Sequence, residues 1–245
     1  MMTTPRPAVR LATFEDAGPI ADLLADAFLD YEWSRWAVPA DNRRERLRGL
    51  HLLYAGLLGA EAGSTWVTDD ISSVVNWVKP GRTPISDALR ARLDEEPAAL
   101  FGDRLEAVDA LDAETAPLRP AGPHWYLATV GTRPDRRREG LASLVIRAGL
   151  AACDQAGLPA AVETSNEANC RLYERLGFQA AGDRTAPDGG LRVWVLVRPA
   201  RRLTGRSRAV AGMVVLVATD GLIAPRGPAW APPREPGWVP DRRPG

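Results

Sequence analysis

An arginine-rich segment in the second half of the chain has the composition of a phosphate-binding loop. It comprises residues 132–142, Thr-Arg-Pro-Asp-Arg-Arg-Arg-Glu-Gly-Leu-Ala, and an apolar helical pattern begins at Leu141. The first N–H groups of a helix have no intrahelical acceptor and lie at the positive end of its dipole. Gly140 and Ala142 would let a diphosphate approach that backbone, and nearby arginines would add charge-assisted hydrogen bonds. Taken alone, the arginine run is equally compatible with a solvated surface, and the three-glycine spacing of a dinucleotide-binding loop is missing.

A second polar segment follows one predicted strand later. Asn169 and Tyr173 are four residues apart, so both side chains project from the same side of a helix. Gly177 and Phe178 follow at the point where this helix should end. The spacing therefore predicts a short helix that presents an amide and a phenol to one surface.

Together, the two segments resemble the two hallmark motifs of the GNAT superfamily of acetyl-CoA-dependent N-acetyltransferases. The family loop, Arg/Gln-x-x-Gly-x-Gly/Ala, is matched here by Arg137, Gly140 and Ala142, and the family helix, Asn-x-x-x-Tyr, by Asn169 and Tyr173. Further similarity to antibiotic-acetylating members of the family covers about residues 8–198 and is weakest across residues 79–122.

The resemblance implies acetyl-CoA as the co-substrate, with its diphosphate in the loop and its pantetheine on the Asn-x-x-x-Tyr helix. The residues expected to bind it are Val130, Gly131, Thr132, Arg137, Arg138, Gly140, Leu141, Ala142, Ser143 and Asn169. Arg138 replaces the first glycine of the usual family loop, and Glu139 places a carboxylate near the expected diphosphate. Repulsion between the Glu139 carboxylate and the diphosphate costs only about 1 kcal/mol at 4 Å in water. We therefore expect this residue to affect CoA affinity rather than the fold.

The same resemblance implies direct acetyl transfer, with the thioester carbonyl bound by backbone N–H groups at a bulge near the end of strand 125–130. Tyr173 is then the candidate acid, because a phenol with a pKa of about 10 can protonate a departing thiolate. The alternative is that Tyr173 only packs its helix. Glu163 is the candidate base, acting directly or through a water, or else a strand-end carboxylate that pairs with an arginine. Cys170, His51 and His124 are interpreted as structural.

Aromatic residues near the first helix are candidates for acceptor binding. Tyr31, Trp33 and Trp36 are close in sequence and could stack on an aromatic acceptor or simply cover the edge of the core. Tyr126 is a further candidate for the wall of the cleft. The expected acceptor is the amine of a small molecule; the alternatives are a peptide, protein or other-metabolite amine, or a non-catalytic module that binds acyl-CoA.

The elements that must position these residues follow from apolar periodicity and turn residues. Strands are predicted at 9–11, 66–68, 73–78, 124–130, 160–164, 178–182 and 191–197. Helices are predicted after Thr13, from Asp41, from Leu141 until Gly157, and at 167–176. Residues 30–39 are predicted as a connection, and 79–122 as two helices with loops around Pro97 and Pro120. Helices between strands favour an α/β (α+β) fold with a mixed sheet. The family resemblance implies that this sheet is a GNAT sheet, splayed between strands 4 and 5.

The composition limits the binding partners, metal sites and cellular locations that the sequence is compatible with. Lys and Arg number 31, as do Asp and Glu, so no net charge attracts nucleic acid or an anionic membrane. Two cysteines and two histidines cannot build a disulfide framework or a four-ligand zinc site, and we expect no metal. The first residues have no apolar leader, so a cytoplasmic protein is expected. A monomer or homodimer is expected as well.

Domain organisation is predicted from a change in composition near residue 200. Residues 8–199 form the expected GNAT domain. Residues 200–245 are rich in Arg, Pro and Gly, and are predicted to be a poorly ordered tail.

Overall fold

The computed structural model describes residues 6–201 of the 245-residue chain. Seven strands form one sheet: Val9–Leu11 (β1), Thr65–Thr68 (β2), Ser73–Val78 (β3), Trp125–Thr132 (β4), Ala160–Thr164 (β5), Gln179–Thr185 (β6) and Arg192–Arg198 (β7). Their order is β1-β2-β3-β4-β5-β7-β6. Only β4 and β5 pair in parallel, and every other neighbouring pair is antiparallel. The predicted mixed α/β sheet is confirmed.

Eight α-helices flank this sheet in the described part of the chain. They are Ala17–Phe28 (α1), Glu32–Ala37 (α2), Arg43–His51 (α3), Gly59–Glu61 (α4), Asp87–Phe101 (α5), Leu105–Thr115 (α6), Leu141–Ala156 (α7) and Glu167–Arg175 (α8). A π-helix, Leu52–Leu58, joins α3 to α4 without a break.

Residues of β3 alternate between two cores on opposite faces of the sheet. Val74 packs with Ile20 of α1, whereas its neighbour Val75 packs in a cluster with Val145 of α7. Successive side chains of a strand point to opposite faces, so α1 and α7 cover the two sides of the sheet. A third cluster packs α3, α5 and α6 against one another beyond the sheet.

The sheet opens between β4 and β5, as expected. The two strands pair only from Trp125↔Ala160 to Leu127↔Val162. Beyond this point β4 continues to Thr132, whereas β5 continues to Thr164 alongside β7. A cleft is therefore built into the sheet, because one long strand diverges from a shorter parallel neighbour.

Two predicted connections in the first half were wrong. Residues 30–39 contain the short helix α2, which ends at Ala37 because Val38 precedes Pro39 and adopts an extended conformation. Pro97 does not interrupt a helix but lies inside α5. Its missing N–H costs that helix a hydrogen bond, but Pro97 is buried beside Leu93 and Phe101, whose packing offsets the loss.

Three further observations concern the expectations about the cysteines, membrane-spanning helices and the tail. Cys153 is buried and Cys170 is half-buried, and both are unpaired. Within residues 6–201, no helix is long and apolar enough to cross a membrane. The elements described run from Val9 to Arg198, and nearly all of the predicted tail lies outside the described residues.

Candidate active site

A cavity of about 750 Å³ lies at the opening between β4 and β5. One wall is formed by β4 beyond Leu127, the end of β5 and the start of α8. The other is formed by the α1–α2 connection, by α3 with its π-helix, and by α5 and α6. Its size is within the range of pockets that hold a small molecule, and it joins the two motif segments in one space.

The predicted phosphate loop does place a helix N-terminus beside this cavity. Gly140 is the N-cap of α7 and has a φ of 78°, a conformation that glycine adopts without strain. Among the described residues, the backbone N–H groups of residues 138–143 have no protein acceptor. Arg137 and Ala142 line the cavity at this end. Free amides, a helix dipole and a guanidinium together suit a diphosphate.

The two departures from the family loop have separate structural consequences. Arg138 has a φ of 69°, so an arginine occupies the left-handed region where the usual glycine would be unstrained. The carboxylate of Glu139 accepts hydrogen bonds from Nε of Arg136 at 2.9 Å, and Arg136 also pairs with Asp70 at 3.1 Å. This pairing neutralises the carboxylate beside the loop, and it takes Arg136 away from a phosphate-binding role.

The ten residues predicted to bind CoA divide into two groups. Those that line the cavity are Val130, Gly131, Thr132, Arg137, Ala142 and Asn169. Those that belong to the loop without lining the cavity are Arg138, Gly140, Leu141 and Ser143. Leu141 is only 2% exposed, because its side chain packs in the core, so that side chain is not available to a ligand.

A β-bulge marks the point where β4 leaves β5. Asn76 and Trp77 of β3 pair with Thr129 and Leu127, so Ala128 is the extra residue on β4. The β5-facing edge of the strand after this bulge has no neighbouring strand among the described elements, and residues 128–132 line the cavity. An open strand edge offers backbone N–H groups to a carbonyl oxygen.

Tyr173 lies where the cavity meets the core. Only 4% of the residue is exposed, and its ring packs edge-on against Phe178 with centroids 5.8 Å apart. Burial raises the pKa of the phenol above its ordinary value, and the negative charge of Tyr31 and Cys170, when ionised, would raise it further. The phenol therefore stays protonated at neutral pH, as a proton donor must.

Asn169 is oriented by a small polar network at the end of β5. Its Nδ2 donates to Oγ1 of Thr164 at 3.2 Å, and the hydroxyl of Tyr31 lies 2.8 Å from the same oxygen. Both Asn169 and Thr164 line the cavity. Thr164 was not among the predicted site residues, since nothing in its sequence position distinguishes it from any other strand-end threonine.

Glu163 lines the cavity from β5 and forms a buried ion pair. Its Oε1 accepts a hydrogen bond from Nε of Arg119 at 2.7 Å, which is the arginine pairing that the sequence left open. Burial raises the pKa of this carboxyl group, although the charge and hydrogen bond of Arg119 oppose the shift. A carboxylate whose pKa is raised towards neutrality is a better proton acceptor than an exposed one.

The aromatic acceptor candidates do not all reach the cavity. Tyr31, Trp33 and Tyr126 line it, and Tyr126 is almost completely buried. Trp36 does not line the cavity, because its indole is held elsewhere. Its Nε1 donates to Asp188 at 3.0 Å, and the guanidinium of Arg104 lies 4.8 Å from its ring centre.

One lining residue was interpreted as purely structural. His51 packs against Phe28 with ring centroids 5.4 Å apart, and its buried Nε2 has no hydrogen-bond partner among the described residues. Burial lowers the pKa of this imidazole to about 3, so it is neutral and a weak base. His124, in contrast, is close to the carbonyl of Gly122 at 2.8 Å and fits its structural interpretation.

Comparison with known proteins agrees with this geometry. Residues 89–178 match the model of the Acetyltransferase (GNAT) family, which spans the phosphate loop and the Asn-x-x-x-Tyr helix. This stretch of the chain is similar to GNAT acetyltransferases. The fold of the chain and its family match are those of acyltransferases.

Solved structures resemble this chain over most of its length. A Corynebacterium glutamicum protein described as histone acetyltransferase HPA2 and related acetyltransferase is 27% identical, with a TM-score of 0.63. The match covers 82% of this chain and 100% of that chain. An N-acetyltransferase from Staphylococcus aureus is 17% identical with a TM-score of 0.50, and the match covers 78% of this chain and 99% of that chain. At this low identity, the second comparison supports a shared fold and nothing more.

Proposed function

We propose that the protein transfers the acetyl group of acetyl-CoA directly to the amine of a small molecule. The observation that carries the proposal is the composition of one cavity. It is lined by Arg137 and Ala142 of the phosphate loop, by Gly131 on the open strand, and by Tyr173 and Glu163. An anion site, an open backbone edge, a buried proton donor and a buried carboxylate are the parts that acyl transfer to an amine requires.

In this proposal the co-substrate lies along the opening between β4 and β5. The amides at the start of α7 and the guanidinium of Arg137 hold its diphosphate. Backbone groups of residues 130–132 and the amide of Asn169 hold the pantetheine arm. The N–H groups beyond the bulge at Ala128 polarise the thioester carbonyl and stabilise the oxyanion that forms there.

The proton transfers are assigned to two residues. Glu163 accepts a proton from the protonated acceptor amine, directly or through a water, so that the nitrogen lone pair is free to attack the carbonyl carbon. When the carbon–sulfur bond breaks, Tyr173 donates its phenolic proton to the sulfur. Cys170 takes no part, because direct transfer needs no covalent intermediate on the enzyme.

For the acceptor we propose an amine attached to an aromatic or apolar body, with puromycin as the first compound to test. The wall away from the phosphate loop carries Trp33, Tyr54, Phe101 and Tyr126, which suit stacking and burial. We choose puromycin because sequence segments such as Pro134-Asp135 and Val193-Trp194 resemble puromycin N-acetyltransferase.

The proposed catalytic unit comprises residues 8–199 and acts in the cytoplasm. Its test is an assay with acetyl-CoA and either puromycin or a panel of amines, in which free thiol is followed. Turnover with at least one small amine is expected. The Tyr173→Phe variant should then lose about 10²- to 10⁴-fold in kcat, the usual contribution of a general acid, while calorimetry shows unchanged CoA binding. A variant that binds CoA and keeps full kcat would contradict the assignment of Tyr173.

A second candidate acceptor is a peptide or protein amine. It is favoured by the 27% identity to the Corynebacterium glutamicum protein described as a histone acetyltransferase. The two candidates differ in acceptor size, since a lysine side chain is unbranched and lacks an aromatic body. Faster thiol release with lysine-containing peptides than with any small aromatic amine would favour the second candidate.

A further inference from the structure

Glu163 is held by a guanidinium from a distant part of the sequence. Nε of Arg119 donates to Oε1 of Glu163 at 2.7 Å, although the two residues are 44 positions apart. Both are enclosed, with 8% of the Arg119 side chain and 15% of the Glu163 side chain exposed. A glutamate side chain has several rotatable bonds, so this contact restricts where its carboxylate lies.

Arg119 is in turn held at its other end. Its Nη2 pairs with Oδ1 of Asp112 and donates to Oγ1 of Thr115 at 2.8 Å. The Thr115 hydroxyl donates to the carbonyl of Asp112 at 3.2 Å, so both partners belong to the last turn of α6. The guanidinium also lies 5.3 Å from the ring centre of Tyr126 on β4. Helix α6 thus fixes the guanidinium, and the guanidinium fixes one oxygen of Glu163.

The same helix also walls the far side of the cavity. Val108, Leu111 and Asp112 of α6 line it, as does Glu163, whereas Arg119 does not line it. Arg119 therefore contacts the carboxylate from behind. It can restrict Glu163 without occupying the space that an acceptor needs.

We propose that Arg119 is a positioning residue for acetyl transfer, which holds Oε1 of Glu163 so that Oε2 faces the acceptor amine. This inference rests on the proposed function. In the step concerned, an N–H bond of the protonated amine breaks, its proton goes to Oε2, and the electron pair left on the now neutral nitrogen forms the new bond to the acetyl carbon. Arg119 keeps all its protons throughout, so it acts on the reaction only through Glu163.

The test is a kinetic double-mutant cycle on the full chain, with the acceptor that the wild-type protein turns over best. Arg119→Gln should lower kcat by about 10- to 100-fold, part of the usual contribution of a general base, with KM for acetyl-CoA unchanged. Arg119→Lys, which keeps the charge, should recover part of that loss. In the Glu163→Gln background, Arg119→Gln should change kcat by less than about 2-fold, because the group through which it acts is gone.

Thr115→Val provides a milder variant in case Arg119→Gln does not fold. It removes one acceptor for the guanidinium and the hydroxyl's own contact with Glu163, while keeping the shape of the side chain. It should lower kcat a few-fold only when Glu163 is present. An equal loss in both backgrounds would indicate a general structural effect and overturn the inference. An unchanged kcat in Arg119→Gln, or in Thr115→Val if only that variant folds, would overturn it as well.

These outcomes separate the inference from the proposed function. If wild-type protein acetylates an amine and Arg119→Gln is equally active, only the positioning role is lost. If wild-type protein releases no thiol with any amine, the proposed function fails and the positioning role fails with it.

Discussion

The hydroxyl of Tyr31 lies 2.8 Å from Oγ1 of Thr164 and accepts a hydrogen bond from the backbone N–H of Ser165 at 3.1 Å. Tyr31 follows α1, whereas Thr164 ends β5, so this contact fastens one wall of the cavity to the opening in the sheet. The same threonine oxygen accepts from Asn169. The hydroxyl of Tyr31 is therefore used within the protein, and the ring, which was predicted to stack on an acceptor, is the part left for a ligand.

Tyr31→Phe should loosen this wall while keeping the ring, which packs edge-on against Phe28. The buried N–H of Ser165 would lose its acceptor, so we expect the free energy of unfolding to fall by about 1–2 kcal/mol in urea titrations. KM for acetyl-CoA should rise a few-fold, since Thr164 also orients Asn169. Thr164→Ser keeps the hydroxyl and should cost less than Tyr31→Phe; equal stability of Tyr31→Phe and wild type would contradict the role of this contact.

Arg138→Gly should stabilise the phosphate loop or leave it unchanged. A non-glycine residue in the left-handed region costs about 1–2 kcal/mol, partly offset by the greater freedom of glycine in the unfolded chain. The side chain of Arg138 is exposed and does not line the cavity, so its backbone N–H is the expected CoA contact and survives the change.

Calorimetry with CoA provides the measurement, and Arg137→Ala is the matched control. Arg137 does line the cavity, so losing its guanidinium should weaken CoA binding by about 10-fold. A marked loss of affinity in Arg138→Gly would show that the Arg138 side chain itself binds the ligand.

Gly149→Ala should destabilise the domain, because α7 packs very closely on β3 at this position. A Cβ atom on residue 149 would lie 2.1 Å from Nε1 of Trp77, whose side chain is buried in the core. Overpacking of this kind costs about 1–3 kcal/mol, which thermal unfolding would detect. Gly18→Ala on α1 is the control, since apart from its chain neighbours nothing lies within 4 Å of its Cβ. Because Pro19 follows and disfavours a Cβ in the helical region, we expect this change to have a cost of its own, which should be smaller than that of Gly149→Ala.

Asp16 should make stability depend on pH in the acid range. Its carboxylate accepts hydrogen bonds from Arg10 at 2.6 Å and from the Thr13 N–H at 2.8 Å, and chiefly the Arg10 contact holds its pKa well below the usual range. A group with a lowered folded-state pKa stabilises the protein above its unfolded pKa of about 4 and loses that contribution as the pH falls.

Asp16→Asn should therefore lower the free energy of unfolding by about 1–2 kcal/mol at pH 7, and by progressively less below about pH 4. Urea titrations at a series of pH values measure this difference. Glu15→Gln, at an exposed neighbour, should change stability by less than about 0.5 kcal/mol. A constant difference between wild type and Asp16→Asn down to pH 2 would argue against the ion pair.

The amino-acid sequence determined those features that depend on neighbouring residues. The glycine cap before Leu141, the four-residue spacing of Asn169 and Tyr173, and the apolar alternation of the strands are local patterns, so backbone preference and periodicity suffice to predict them. The opening between β4 and β5, and the parallel pairing before it, were expected from the family resemblance that these patterns support.

Only the tertiary structure decided which distant groups meet. Nothing local pairs Arg119 with Glu163 or Tyr31 with Thr164, brings His51 to the cavity wall, or turns Trp36 away towards Asp188. Likewise, Pro97 is tolerated within α5 because of the core around it. A buried polar group must find a partner or pay for its lost hydration, and which partner it finds depends on how helices and strands pack rather than on the residues beside it.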